Sequence, residues 1–318
     1  MKTAVPPASG NSGKGLKGLG AALLVITVGI MCGFLFFSHH DAPPGEEGAP
    51  AEEFHGITSI ALDTNGSIYI GGAFGVKVLA PDQTLVREWK TPQAVTALAV
   101  DGNGNVYAAY AARVEKFGPG GKSLLVWGRG GCDGDRFGLV SGIAVAPGNV
   151  FIADSGARVV YRFSTDGRPL NEIGGKEGDP EGKGLIAPSP FLDCAVSGRA
   201  LYVNNLGRRR VEKYDFGGKL LASWGKSGWE DHEFPGCCNP TNIAVCPDGN
   251  IAVAEKGSPR VKIYTGDGKL VSIFGEGDFP KECKGIDLAV AGGRIYAVDK
   301  VSSCVRVFPV NKGTEENP

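Results

Sequence analysis

The sequence predicts an all-β protein, a six-bladed β-propeller preceded by a single transmembrane helix. Three observations carry this. A short apolar strand pattern recurs six times. Glycine is in excess, 50 of 318 residues, about twice its usual share of about 7%. One uncharged apolar run of nineteen residues lies near the N-terminus.

The apolar run extends from Leu19 to Phe37. At 1.5 Å per residue it is just long enough to cross a hydrocarbon core of about 30 Å. Lys2, Lys14 and Lys17 precede it; Asp41, Glu46, Glu47, Glu52 and Glu53 follow. The lysines favour the cytoplasmic side, so the N-terminus is expected inside and the rest outside. The run exceeds the apolar segment of a cleaved signal peptide, and Ser38-His39-His40 offers no small-residue cleavage site. The expected organisation is a cytoplasmic segment (1–18), a membrane helix (19–37), a proline- and glutamate-bearing stalk (38–53), the propeller (54–310) and a tail (311–318). The propeller is expected in the periplasm or at the cell surface.

The repeat begins with Ser59-Ile60-Ala61-Leu62, Ala97-Leu98-Ala99-Val100, Gly142-Ile143-Ala144-Val145, Asp193-Cys194-Ala195-Val196, Asn242-Ile243-Ala244-Val245 and Asp287-Leu288-Ala289-Val290. The alanine occurs in all six copies, 38 to 51 residues apart, the period of a propeller or solenoid. In each copy a second strand follows, such as Ser67-Ile68-Tyr69-Ile70 or Asn250-Ile251-Ala252-Val253. A third strand holds a valine (76, 114, 160, 211, 261, 305), then Leu79, Phe117, Phe163, Tyr214, Tyr264 or Phe308 three residues later. Turns such as Asp166-Gly167 and Asp267-Gly268 lead to a fourth strand ending at Trp89, Trp127, Ile173, Trp224 or Phe274. Alternation with Asp-Gly and Gly-Gly turns is hairpin chemistry, and four such strands repeated radially make propeller blades. The sixth copy stops after its third strand. Either the stalk before Phe54 supplies a fourth strand or the last blade is three-stranded.

Pro240-Thr241-Asn242-Ile243-Ala244-Val245, Phe151-Ile152-Ala153-Asp154 and Arg210-Val211-Glu212-Lys213-Tyr214 together resemble the blade pattern of the NHL-repeat family. The resemblance covers about four-fifths of the chain. It implies a six-bladed propeller, with a ligand face formed by the links between blades and the links between second and third strands. It does not imply one activity, because such propellers serve binding and catalysis alike.

Cys132, Cys237, Cys238, Cys283 and Cys304 all fall on that expected face. Disulfides, a metal or iron–sulfur cluster, and unpaired thiols are all open. A Cys283–Cys304 bond is the first expectation. Cys237 and Cys238 are adjacent, and Cα atoms 3.80 Å apart fall short of the usual disulfide range of 4.4–6.8 Å. Each is therefore expected to seek another partner or a metal. Cys194 stands in a column otherwise holding Ile and Leu and reads as a small buried hydrophobe. Cys246 has no evident partner.

Asp193, Asn242 and Asp287 share one column in the last three copies, where the first three have Ser59, Ala97 and Gly142. Three oxygen donors near an axis suit Ca²⁺. They are similar to the metal site of gluconolactonase-like propellers, except that only Glu53 stands for an early glutamate. Arg208-Arg209-Arg210 is a further anion-site candidate. Histidine is scarce, with His55 and His232 alone in the propeller, which speaks against a multi-histidine zinc lyase.

Residues 54–318 contain 30 basic and 29 acidic residues, which argues against a nucleic-acid partner. The leading expectation is a membrane-anchored binding scaffold for a protein or envelope component. The alternatives are a redox, metal or iron–sulfur propeller using the face cysteines, and a metal-dependent lactonase- or lyase-like enzyme.

Overall fold

The computed structural model describes residues 38–39, 55–110, 112–128, 137–175 and 184–310. The run from Leu19 to Phe37, most of the stalk, the loop holding Cys132 and the tail lie outside the described residues.

Six four-stranded sheets form the six blades. Blade one comprises β2 (Ile57–Leu62), β3 (Ile68–Gly72), β4 (Gly75–Leu79) and β5 (Leu85–Trp89). Blade two comprises β6 (Ala97–Val100), β7 (Val106–Tyr110), β8 (Arg113–Phe117) and β9 (Ser123–Gly128). Blade three comprises β10 (Val140–Ala146), β11 (Asn149–Asp154), β12 (Val159–Ser164) and β13 (Pro169–Ile173). Blade four comprises β14 (Cys194–Ser197), β15 (Ala200–Asn205), β16 (Arg210–Asp215) and β17 (Leu220–Trp224). Blade five comprises β18 (Asn242–Val245), β19 (Ile251–Glu255), β20 (Arg260–Tyr264) and β21 (Leu270–Phe274). Blade six comprises β22 (Leu288–Ala291), β23 (Arg294–Asp299) and β24 (Cys304–Pro309), edged by β1 (Ser38–His39).

Successive strands within each blade pair antiparallel. The third and fourth strands slip register just before Leu79, Phe117, Phe163, Tyr214 and Tyr264. A bulge at the same place in five blades adds the local twist each blade needs. The last blade closes in an unexpected manner. Among the described residues, its outer edge is met by Ser38 and His39 of the stalk, which run parallel to Arg306 and Val307.

The core is six separate apolar clusters, and each is an interface between neighbouring blades. Ala61 packs with Leu98, Ala99 with Ile143, Ala144 with Cys194, Ala195 with Ile243, Ala244 with Leu288, and Ala289 with Ile60. The six-fold alanine is thus the small socket into which the next blade sets its Ile, Leu or Cys. A larger side chain there would overpack the seam, typically at about 1–3 kcal/mol. Cys194 fills an Ile/Leu socket as a free buried thiol, as its column implies. The last pairing, Ala289 against Ile60, closes the ring with Val305 and Val307 beside it.

The glycine after the fourth strand has its own steric cause. Gly225 has φ 104°, and a Cβ there would stand 2.6 Å from the Phe234 ring. Gly128 meets Phe137 in the same way. The residue must adopt a left-handed backbone and yield its side-chain volume to the ring that seals the blade.

Candidate functional site at the axial mouth

Where the inner strands begin, each blade is hydrogen-bonded to the next. In the first three blades the links are hydroxyls. Thr58 Oγ1 donates to Val95 O of blade two. Thr96 Oγ1 donates to Val140 O of blade three at 3.0 Å. Ser141 Oγ donates to Leu192 O, just before blade four, at 2.6 Å.

In the last three blades the links are Asp193, Asn242 and Asp287, the residues proposed from sequence as a cation site. The structure does bring them together, and it also shows how their polar atoms are engaged. Asp193 Oδ2 accepts from Ile243 N of blade five at 3.1 Å, and Oδ1 accepts from Cys194 N at 2.8 Å. Asp287 Oδ2 accepts from Ser59 Oγ at 2.7 Å and from Ile60 N at 2.8 Å, both in blade one. Asn242 lies 3.5 Å from Asp287 Oδ1 through Nδ2. With its amide turned over, its nitrogen donates to the carbonyls of Thr241 and Ile286, each at 3.2 Å. The second orientation makes more hydrogen bonds, and amide orientation is assigned from such networks. In either, Asn242 links blade five to blade six.

Gly142 explains why this column changes character. A Cβ at Gly142 would stand 2.2 Å from Asp193 Oδ1. Blade three must be bare at this point so that blade four can carry a carboxyl.

Burial raises the pKa of both acids. Asp193 is pushed up to about 8 by desolvation and by the neighbouring Asp287. Asp287 is raised by desolvation, against the pull of Ser59, Ile60 and Lys300. Two carboxyls sharing a buried site cannot both ionise freely.

A cavity of about 190 Å³ opens beside them, lined by Thr58, Thr96, Ser141, Phe191, Asn242, Asp287 and Lys300, among others. Lys300 was not singled out from the sequence. It follows β23 directly and occupies the same position in its blade as Lys256 does after β19. The corresponding residues in the other blades are Ala73, Ala111, Ser155 and Leu206, so a charge appearing in the last two copies was the available signal. Burial lowers the pKa of Lys300, while Asp287, Cys283 and Asp193 pull it back up. Its ammonium makes no ion pair among the described residues.

The cysteines do not form one centre. Cys283 is fully buried in the seam between blades five and six, and Cys304 is buried at the start of β24; both are free thiols, so the expected bond between them is absent. Cys246 is buried in the Cys283 seam. Burial pushes Cys283 up to about 11 and Cys246 up to about 12, and raises Cys304 as well. Burial therefore favours the protonated thiol at all three positions. Among the described residues, Cys237 and Cys238 are a close pair, with sulfurs 3.2 Å apart. Cys132 lies outside the described residues. Among the described residues no three His, Cys, Asp or Glu side chains are grouped to hold a metal.

The arginine run is partly committed to the fold. Arg210 pairs with buried Glu212 at 2.6 Å, and Arg209 Nε donates to Gly236 O at 2.7 Å.

No protein-family model matches the chain, and no curated protein matches it. Among solved structures it is similar to a gluconolactonase of Xanthomonas campestris, at 18% identity and TM-score 0.58 over 80% of this chain and 87% of that one. It is similar to virginiamycin B lyase of Staphylococcus aureus, at 15% identity and TM-score 0.52 over 81% and 85%. The WD40 propeller domain of Doa1 aligns at 13% identity and TM-score 0.57 over 80% and 79%. At these identities the likeness is one of fold: this chain is a β-propeller of six blades, some of whose structural neighbours are enzymes.

Proposed function

We propose that the chain is a membrane-anchored, extracytoplasmic propeller that binds a protein or envelope component through an anionic group seated at the axial mouth. The supporting observation is the distribution of charge there. Asp193 and Asp287 accept hydrogen bonds from neighbouring strands and burial raises the pKa of both, whereas Lys300 lines the cavity and makes no ion pair among the described residues. A partly desolvated ammonium at a narrow mouth favours a carboxylate or phosphate over a divalent cation. This reading stands against a calcium-dependent lactonase, which needs ionised carboxylates turned to the metal.

The anchor rests on the run from Leu19 to Phe37 and its lysine flank. Two experiments test the proposal. A phosphatase fused after Pro318 is active only if the propeller is exported; an inactive fusion refutes the address. A short oligoglutamate peptide titrated into the full-length protein binds in a salt-sensitive manner, and Lys300→Met removes that binding. Equal binding by the variant refutes the role of the mouth.

A further inference from the structure

The axial site makes no use of Cys237 and Cys238. They lie in the link between β17 and β18, and the link is braced. Asn239 Nδ2 donates to Pro235 O at 2.8 Å and to Lys256 O at 3.0 Å, while its Oδ1 accepts from Lys256 N at 2.9 Å. Arg209 holds Gly236 O from the other side. The two sulfurs, 3.2 Å apart, are therefore held in place by the fold. Cys237 is exposed and Cys238 is buried.

Cys238 differs from every other buried thiol described. Burial opposes its ionisation, but Cys237, the Ser189 hydroxyl and the Lys256 ammonium outweigh that and hold its pKa below the usual thiol value. Ser189 Oγ is buried and makes no hydrogen bond among the described residues, which leaves it available to a thiolate at Cys238. The Lys256 ammonium lies 5.4 Å from the centre of the Phe191 ring, and Phe191 lines the axial cavity. An exposed thiol is thus backed by a second whose thiolate is stabilised by a hydroxyl and a cation.

We infer that Cys237 and Cys238 form a two-thiol exchange centre whose co-reactant is an accessible organic disulfide, R–S–S–R. Cys237, as its thiolate, attacks one sulfur of the co-reactant. The Cys237–S–S–R bond forms, the R–S–S–R bond breaks, and one R–S⁻ leaves to take up a proton. The Cys238 thiolate then attacks the Cys237 sulfur, forming the Cys237–Cys238 bond and expelling the second R–S⁻, which is protonated in turn. Two protein thiols lose two electrons and two protons, and one disulfide becomes two thiols. The short Cα spacing that argues against a structural bond between adjacent cysteines suits a labile bond that is made and broken. Two sulfurs also fall short of the four ligands of a structural zinc site.

The test uses reduced full-length protein mixed with hydroxyethyl disulfide, quenched in acid at intervals, with the peptide bearing both cysteines weighed by mass spectrometry. The wild type shows a transient adduct on Cys237, then a peptide lighter by two hydrogens. Cys238→Ser accumulates the adduct and keeps it at least about tenfold longer, because the resolving thiolate is gone. Cys237→Ser shows neither product. Lys256→Gln forms the adduct at the wild-type rate but resolves it more slowly, which loss of packing alone would not produce. Circular dichroism establishes that each variant keeps its β-structure. A wild-type peptide that never becomes lighter, or an adduct equally short-lived in Cys238→Ser, overturns the inference.

Discussion

Asp287 of blade six accepts a hydrogen bond from Ser59 Oγ of blade one at 2.7 Å, and the adjacent Ile60 N donates to the same oxygen at 2.8 Å. A residue near the end of the propeller thereby joins its last blade to its first, 228 positions away in sequence. The same seam is packed by Ala289 against Ile60. Closure at the axis therefore combines one carboxyl with an apolar seam, while β1 pairs with Arg306 and Val307 at the outer edge.

The first prediction follows from that contact. Asp287→Ala strands a backbone N–H and a hydroxyl in a buried place. A lost hydrogen bond to a charged group is worth about 1.5–3 kcal/mol, and a stranded donor costs a comparable amount. The variant should lose about 2–4 kcal/mol in urea unfolding by that same reckoning. Ser59→Ala removes only one donor and should cost about 1 kcal/mol. Equal stability of Asp287→Ala and the wild type would show that the ring does not depend on this link.

Gly142→Ala provides a steric test of the same column. Its Cβ would overlap Asp193 Oδ1, and Gly142 has an ordinary backbone, so the effect is crowding alone. The expected cost is about 1–3 kcal/mol, as for other overpacked sites. Adding Asp193→Ala to Gly142→Ala should recover part of it, because the 2.2 Å overlap with the carboxyl is relieved while the 2.9 Å approach to the Cα of residue 193 stays. A thermal melt of the single and double variants decides this, and strictly additive losses would contradict the steric account.

The pH dependence has a defined sign. Asp193 has a folded pKa of about 8, against 3.8 for an ordinary aspartate. Between these values the folded protein holds a proton that the unfolded chain has lost. Its contribution is therefore full below about pH 4 and is lost as pH rises through about 8. Asp101 and Asp299 act in the opposite sense: burial works against both, but their hydrogen bonds win and lower the pKa, so their contribution is lost in acid. Urea midpoints between pH 5 and pH 9 should fall, and Asp193→Asn should flatten the fall. A midpoint that rises over that range would refute the raised pKa of Asp193.

A further prediction concerns blade five. Lys262 is fully buried, with Nζ 2.9 Å from Glu255 Oε1 and 2.7 Å from Glu233 O. Arg260 pairs with the same glutamate at 2.7 Å. Glu255→Ala leaves buried Lys262 without its carboxylate partner, while Arg260 keeps Asp231 and Glu276, and should cost about 3–5 kcal/mol. Glu255→Leu combined with Lys262→Met should cost clearly less than Glu255→Ala. Chemical denaturation of both variants measures this, and the reverse ranking would contradict it.

The blades were legible because their signals are local. Alternation, Asp-Gly turns and the recurring alanine mark each strand without reference to any other, and the alanine's role as a socket follows once the blades are stacked. What the sequence could not show was how residues from different blades divide their hydrogen bonds. Asp193, Asn242 and Asp287 share one column of the repeat, and the structure sets Asn242 and Asp193 beside Asp287. The backbone donors of the next blade that occupy their oxygens carry no side-chain signature. Lys300 was missed because one lysine after a strand looks like any solvated turn residue. Cys283 and Cys304 were placed at the edge of blade six, but inward orientation into a seam depends on packing. Gly142 was visible as a small residue, and only its distance to Asp193 explains it.

The central claim is that the axial mouth presents a cation, Lys300, because the acids are engaged in joining blades. Thermal unfolding of the full-length protein with inorganic phosphate or with calcium chloride, at matched ionic strength, tests it most directly. A ligand at a hundredfold excess over its Kd adds about 2.7 kcal/mol of stability. The account predicts that phosphate raises the Tm of the wild type but not of Lys300→Met, and that calcium leaves both unchanged. A Tm raised by calcium in the wild type, and no longer raised in Asp287→Asn, would contradict it and make the acids metal ligands.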